Sequence, residues 1–302
     1  MSEESACHFI HVEAPFDLAL TVNVARRLPS NVLYPLKDGE LRVVVSDWNG
    51  PVLVGVRSPE PDRVEYRELG ARMGEERLLV VEGYIRRLLG LDVDLTELRK
   101  IFASEPTVAP LAQRLKGLRP PRFLSLWETL LQVIPFQQVS LASAMSAVNK
   151  LVATLGSRVY YEDREYFGAP PVERVLLATD DELRACGLSR AKVRALRGCA
   201  KRVRDGAVRE DALASLSDDD AALDLMALPG IGPWSTQLIL LRGFGRLGNF
   251  PAGDSGAARS LRDLFQREPD PDAAAMKTLA SLGRWQGYLY FMLLARRYLD
   301  PT

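Results

Sequence analysis

The residues best placed to do chemistry lie between Leu228 and Arg262. Leu228-Pro229-Gly230-Ile231-Gly232-Pro233-Trp234 opens the stretch, and Asp254 follows Phe250-Pro251-Ala252-Gly253. Two glycines two apart let the backbone turn tightly and approach another molecule closely. Pro233 suits the first turn of a helix, where a missing N–H costs nothing, and Leu238, Leu240 and Leu241 continue that helix. A glycine turn between two helices offers free N–H groups and the positive end of a helix dipole, a cradle for phosphate. Asp254 stands at the start of the next helix. A carboxylate there has two readings: it caps the helix, or it stabilises positive charge developing on a substrate and orients a water.

The elements that must position these residues fall into two parts. Up to about residue 110 the pattern is mixed. Phe9–Glu13 alternates like a strand, Glu40–Val45 and Val52–Val56 are β-branched runs, and Asn49-Gly50 between them signals a hairpin. Arg63–Leu69 alternates again. Amphipathic helices are expected from about Asp17 to Arg27 and from about Glu76 to Leu89. This predicts a small α+β domain with an antiparallel sheet over residues 1–110. From Pro120 the pattern turns helical: Leu124, Trp127, Leu130, Leu131 and Ile134 fall at helical spacing. Pro135 interrupts, and Gln137-Gln138-Val139-Ser140 opens a helix running to about Leu155. Phe167–Pro171 reads as a loop. Ser189 caps a basic helix to about Arg204, Asp218 can cap a helix to Ala227, and a last helix follows Trp285-Gln286-Gly287-Tyr288. The fold class expected is mainly α, with helical domains over 111–302 and the hairpin at about 220–243.

Of 302 residues, 47% are hydrophobic, enough for sizeable cores. The 39 basic and 39 acidic residues cancel. A polyanion-binding chain with no net charge must segregate its charges. Acidic residues gather in Asp218–Asp220 and Glu268–Asp272, basic ones in Arg190–Arg204 and Arg296–Arg297. Cys7, Cys186 and Cys199 make no C-x-x-C pair and no disulfide framework. His8 and His11, the two histidines, suggest no zinc site. No signal peptide and no apolar run of transmembrane length is evident. A reduced cytoplasmic setting without membrane contact is the expectation.

The LPGIG turn, with an Asp about twenty residues beyond it after a Phe-Pro, resembles the helix-hairpin-helix glycosylase superfamily of DNA base-excision repair. Within it the likeness is to the 3-methyladenine DNA glycosylase II (AlkA) type, through Gly-Ile-Gly-x-Trp and F-P-x-x-D. Further likenesses are Gln137-Gln138-Val139-Ser140 to a "QQ-x-S" segment, Gly187–Lys192 to "GLS-x-x-K", and Trp285 before the helix that carries Tyr290, Leu293 and Leu294. The resemblance spans about residues 86–300 and extends more loosely over the first 85, where Pro15-Phe16-Asp17 resembles an opening strand.

The resemblance implies a fold of helical domains behind a small α+β domain, and an enzyme that excises a damaged base from double-stranded DNA. An everted nucleotide is required, because the glycosidic carbon is inaccessible inside the stack. The implied parts are these. Gly230, Gly232 and Trp234 anchor phosphate, and Gln138, flanked by Val139 and Ser140, fills the vacated stack. Asp254 supports bond cleavage. Trp234, Trp285, Leu238 and Phe16 line the base pocket. Each has a plainer reading: polar helix capping for Gln138 and Ser140, and core packing for the tryptophans. Bifunctional relatives carry a Lys where this chain has Trp234, so a monofunctional hydrolase of N-glycosidic bonds without strand-nicking activity is expected. The expected substrates are alkylated purines, whose positive charge favours aromatic faces. Leu238 in place of a family Tyr, and Gly253 in place of an acidic residue, keep deaminated or oxidised bases open. A non-catalytic damaged-DNA-binding protein is the third reading. No cofactor is expected: nothing after Cys199 could hold an iron–sulfur cluster. In the family the hairpin carbonyls also hold a monovalent cation, so a sodium or potassium ion there is the one metal the resemblance implies for this chain. A monomer, cytoplasmic or nucleoid-associated, completes the expectation.

Overall fold

A computed structural model describes residues 7–299 apart from Trp48, Ala71 and Arg72. The outermost residues of the two expected domains, 1–6 and 300–302, lie outside the described residues. The chain begins with β1 (Cys7–His11), α1 (Leu18–Arg26), β2 (Leu36–Lys37), β3 (Glu40–Asp47), β4 (Gly50–Glu60) and β5 (Arg63–Leu69). The strands form one antiparallel sheet in the order β1-β5-β4-β3-β2. Val44 opposes Leu53, and Val43 opposes Val54. Both faces of the sheet are covered, which explains near-continuous valine runs where a one-sided sheet would alternate. Val43, Val45, Val52, Val54 and Val56 face α1 and α2 (Glu75–Leu89). Val44, Leu53 and Leu69 face the other way, onto Tyr166.

Pro15-Phe16-Asp17 is not a strand. It leads into α1, whose first turn is capped by Asp17 accepting from the Leu20 N–H at 2.8 Å.

The helical part continues with α3 (Thr96–Ser104), α4 (Ala109–Arg114), α5 (Leu126–Val133), a single 3₁₀ turn at Ile134–Phe136, and α6 (Leu141–Leu155). Next come strands β6 (Arg158–Tyr161) and β7 (Arg164–Phe167), then α7 (Val172–Leu177), α8 (Asp180–Ala185), α9 (Arg190–Arg204) and α10 (Glu210–Ser215). The chain finishes with α11 (Asp218–Met226), α12 (Pro233–Arg242), α13 (Ser255–Leu264), α14 (Pro271–Leu282) and α15 (Gln286–Arg296). No helix among the described residues is long and apolar enough to cross a membrane.

The β6–β7 hairpin is a strand pair inside the helical half that sequence reading missed. Its two-residue loop, Glu162-Asp163, has φ of 49° and 58° at both positions. That is the primed turn that hairpins require, made here without the Asn-Gly signature. The hairpin covers the open face of the sheet with Tyr166.

One apolar cluster unites the helical part and reaches back to Leu20 and Val24 of α1. The end of α1 is clamped by the C-terminal helices. Arg242 of α12 donates to the carbonyls of Ala25 at 2.9 Å and Val24 at 3.3 Å. Tyr298 donates to those of Asn23 and Arg27, and Arg297 also bonds the Arg27 carbonyl. Helix-end carbonyls lack intrahelical partners, and here side chains from distant sequence supply them. Arg27 beyond the helix is held at φ 62°, in the left-handed region that non-glycine residues rarely occupy.

Candidate active site

Helices α11 and α12 are the arms of the hairpin. Ser217, rather than Asp218, caps α11 by accepting from the Asp220 N–H. This frees the Asp218 carboxylate to accept from Arg246 at 2.8 Å and Asn249 at 2.7 Å, tying down the loop after α12.

The two hairpin glycines do different work. Gly230 has φ +72°, and a Cβ there would meet the Ala195 Cβ of α9 at 2.6 Å. It is needed for the turn and for packing. Gly232 has φ −107°, which any residue adopts, and a Cβ would meet nothing within 4 Å. Its bareness keeps the space outside the first turn of α12 clear. That turn begins with Pro233 and has no side-chain cap, so its leading N–H groups are available to an anion.

The loop before α6 faces the hairpin. Gln137 donates from Nε2 to the Gly230 carbonyl at 2.7 Å and to Ser235 Oγ at 3.0 Å. Gln138 sits at φ 53°, exposed, and among the described residues its side chain makes no hydrogen bond. Val139 beside it is also exposed. Ser140 caps α6, accepting from the Ser143 N–H at 3.2 Å.

Asp254 caps α13 through Oδ1, which accepts from the Ala257 N–H at 2.9 Å. Among the described residues Oδ2 has no donor, so the capping bond fixes the carboxylate and leaves one oxygen for the cleft. A Cβ on Gly253 would lie 3.6 Å from Trp234 Cβ, so the approach to Asp254 packs against the hairpin tryptophan.

These pieces border one cleft of about 1250 Å³. Gly230, Gly232, Trp234, Gln138, Val139, Ser140 and Asp254 all line it. The cleft also takes Arg27 just beyond α1, Phe136 from the 3₁₀ turn, Arg259 of α13 and Leu293 near the C-terminus, none of them foreseen in the sequence, and Lys192 of α9 and Arg297, which belong to the two basic clusters. Asp254 is the one carboxylate against four cationic side chains in that lining. The charge segregation that a neutral chain needs is thus present at the cleft. Lys192 donates to the Pro135 carbonyl at 2.9 Å, and burial pushes its ammonium pKa down.

Three expected pocket residues lie elsewhere than the cleft wall. Trp285 is buried and donates from its indole N–H to Glu97 at 3.2 Å, under the Arg284 guanidinium. Phe16 is buried in the core beneath the sheet, because the 15–17 segment turns inward to start α1. Leu238, one turn along α12 from Trp234, is 2% exposed. It lines a small inner cavity with Phe123, Gln132, Val133 and Arg242. Arg27 and Phe136 line both this cavity and the cleft.

Comparison with known proteins gives the same picture. Residues 131–284 match the family model described as HhH-GPD superfamily base excision DNA repair protein. A curated relative, DNA-3-methyladenine glycosylase of Bacillus subtilis, is 24% identical over 92% of this chain and 93% of its own. The structure of a 3-methyladenine DNA-glycosylase from Archaeoglobus fulgidus superposes with TM-score 0.83 at 22% identity, covering 97% of this chain and 99% of the other. An 8-oxoguanine glycosylase/lyase of Clostridium acetobutylicum, solved with double-stranded DNA, superposes with TM-score 0.75 at 16% identity, covering 99% and 97%. The fold is therefore shared by proteins of both specificities. With its hairpin, its capping aspartate and its cleft between them, the chain belongs to the HhH-GPD superfamily of base excision DNA repair proteins.

Proposed function

We propose that this protein is a monofunctional DNA glycosylase that removes alkylated purines, of the 3-methyladenine and 7-methylguanine kind, by hydrolysing the N-glycosidic bond of an everted nucleotide. The observation that carries this reading is the Asp254 carboxylate, fixed by its own helix and open to the cleft beside Trp234. The relative from B. subtilis and the structural neighbour from A. fulgidus, both named as 3-methyladenine glycosylases, support the substrate class.

The mechanism follows from the parts. The free N–H groups at the start of α12, with the helix dipole behind them, hold a backbone phosphate without reading sequence. Gln138 enters the stack that the everted base leaves. As the bond to C1′ breaks, the sugar takes on positive charge, which the Asp254 carboxylate stabilises while it orients the attacking water. An N-alkylated purine is cationic and leaves as a neutral base, so it needs no general acid. Trp234 offers an aromatic face to that cation. The hairpin supplies carbonyls but no side-chain donors for a monovalent ion. The Leu228 and Gly230 carbonyls already accept one hydrogen bond each, and each keeps a second lone pair. Such an ion would add positive charge beside the phosphate. No other cofactor enters this reading, and the protein acts as a monomer on double-stranded DNA in the cytoplasm or nucleoid.

The test is base release from methylated duplex DNA, with free bases separated chromatographically. The wild type should release 3-methyladenine or 7-methylguanine and leave strands that break only in alkali. Asp254→Asn should bind abasic-site DNA yet release base at least about 100-fold more slowly, the scale of losing one electrostatic stabiliser. Wild-type release by Asp254→Asn would overturn the assignment.

A further inference from the structure

The loop that carries Gln138 hangs on few contacts. Gln138 stands at φ 53°, a left-handed conformation that non-glycine residues rarely occupy and that persists only where the surroundings hold it. Beyond it Ser140 caps α6, and Gln137 ties the loop to the hairpin. On the near side the 3₁₀ turn ends at Phe136, and the buried Pro135 carbonyl accepts from Lys192 Nζ at 2.9 Å. Lys192 lies in the first turn of α9, where its backbone N–H bonds the Ser189 hydroxyl at 3.3 Å. Ala195 and Cys199 recur with it at helical spacing on one face of α9. That face seats the hairpin. Cys199 Sγ donates to the Pro229 carbonyl at 3.7 Å, and Ala195 packs under Gly230. One helix face therefore carries the hairpin at two points and the Gln138 loop at a third. The ammonium is partly buried, its pKa is lowered by that burial, and among the described residues no carboxylate pairs with it. A partly desolvated cation held on one neutral carbonyl adds little to stability, so the bond serves to place the loop.

We propose that Lys192 is a positioning residue. Through the Pro135 carbonyl it holds the loop so that Gln138 meets the gap left by the everted base, and its effect on base release passes through Gln138. The inference rests on the glycosylase reading and deepens it. A lysine that lines the cleft has a plainer use, which is to neutralise a DNA phosphate. The two uses differ in what they depend on. A phosphate contact strengthens binding to any duplex, in a salt-dependent way, whatever side chain stands at residue 138. A brace on the loop matters only while Gln138 is there to be placed, and it acts on the complex in which a nucleotide is everted.

The experiment is a double-mutant cycle between Lys192→Met and Gln138→Ala. It is read by single-turnover release of 7-methylguanine and by affinity for abasic-site and undamaged duplexes across a range of salt. Lys192→Met removes the ammonium and keeps the stem. Alone it should slow release about 10-fold, the cost of a small misplacement, and weaken binding to abasic-site DNA. Its salt slope on undamaged DNA and its melting temperature should match the wild type. In the Gln138→Ala background the same change should alter release by less than about 2-fold. Lys192→Arg keeps charged donors at that place and should recover most of the rate. Equal slowing in both backgrounds overturns the proposal, and a salt slope shallower by about one would then make Lys192 a phosphate contact. Full release by Lys192→Met overturns it, as does a Gln138→Ala protein that binds and releases like the wild type. A wild type that releases no 7-methylguanine overturns the substrate class instead, and the binding arm of the cycle still decides between brace and phosphate contact.

Discussion

The Gln137 side-chain amide donates to the Gly230 carbonyl at 2.7 Å, bridging the loop before α6 to the hairpin 93 residues away in sequence. Of the two adjacent glutamines, one is a tether and the other is free. Gln137→Ala should therefore disturb the placement of Gln138, proposed to fill the stack, against the hairpin proposed to anchor phosphate. We expect base release about 10-fold slower, since small misplacements at a reacting centre are expensive, and little change in affinity for undamaged DNA. Gln138→Ala should instead weaken binding to abasic-site DNA by roughly 1–3 kcal/mol, the range of one lost stacking contact, without changing thermal stability. Equilibrium binding together with single-turnover release separates the two. Equal effects from both variants would contradict this division of roles.

The hairpin glycines give a second contrast. Gly230→Ala puts a Cβ at 2.6 Å from that of Ala195 on a backbone at φ +72°. It should cost about 2–4 kcal/mol of stability, combining left-handed strain with overpacking. Gly232→Ala meets nothing within 4 Å and should fold normally. Its methyl stands where a phosphate would approach, so it should bind DNA more weakly with a shallower salt dependence. Urea melts and salt titrations of both variants check this. A Gly232→Ala protein with unchanged DNA affinity would remove that glycine from the interface.

Glu40 supplies a pH prediction away from the cleft. This buried β3 carboxylate is met by Arg42 at 2.8 Å, Arg57 at 3.0 Å and Arg67 at 3.2 Å. Burial pushes its pKa up, but the Arg42 hydrogen bond and the Arg57 charge outweigh it, and the carboxyl ends below its ordinary 4.5. A carboxyl lowered by folding contributes stability that is present above pH 4.5 and is lost as pH falls below it. Glu40→Gln should be destabilised by about 1.5–3 kcal/mol at pH 7, the range for hydrogen bonds to a charged group. The gap from wild type should narrow between pH 4.5 and pH 3. A gap that stays constant over that range would show that Glu40 is not the linked group.

Much of this architecture was legible in the sequence, and the exceptions have physical causes. Amphipathic spacing marked α2, Ser189 ahead of a basic run marked α9, and the helix starts read at Asp17 and Asp254 are where those residues cap α1 and α13. The β6–β7 hairpin escaped because Glu162-Asp163 makes the primed turn without glycine. Trp285 and Phe16 were read from family position, and burial of each depends on partners distant in sequence, Glu97 for the one and the sheet for the other. Arg27 was invisible for the same reason. Its place in the cleft is set by Arg242, Arg297 and Tyr298, more than 200 residues later, which hold the end of α1.

Trp234 sets the expected outcome for strand cleavage. A nicking glycosylase needs an unprotonated amine within reach of C1′ to form a Schiff base. Among the residues lining the cleft, Lys192 carries the one amine. Burial lowers its pKa, which favours the reactive form, but its Nζ is held on the Pro135 carbonyl at 2.9 Å. The wild type should therefore form no covalent complex with lesion-bearing DNA in borohydride, and the strand should stay intact until alkali is added. Trp234→Lys places an amine at the start of α12, beside Gly253 and the approach to Asp254. It should give a borohydride-trapped complex visible as a gel shift, at some cost in base release through the lost aromatic face. Trapping by the wild type that disappears in Lys192→Met would instead identify Lys192 as the nucleophile, and the enzyme would be bifunctional.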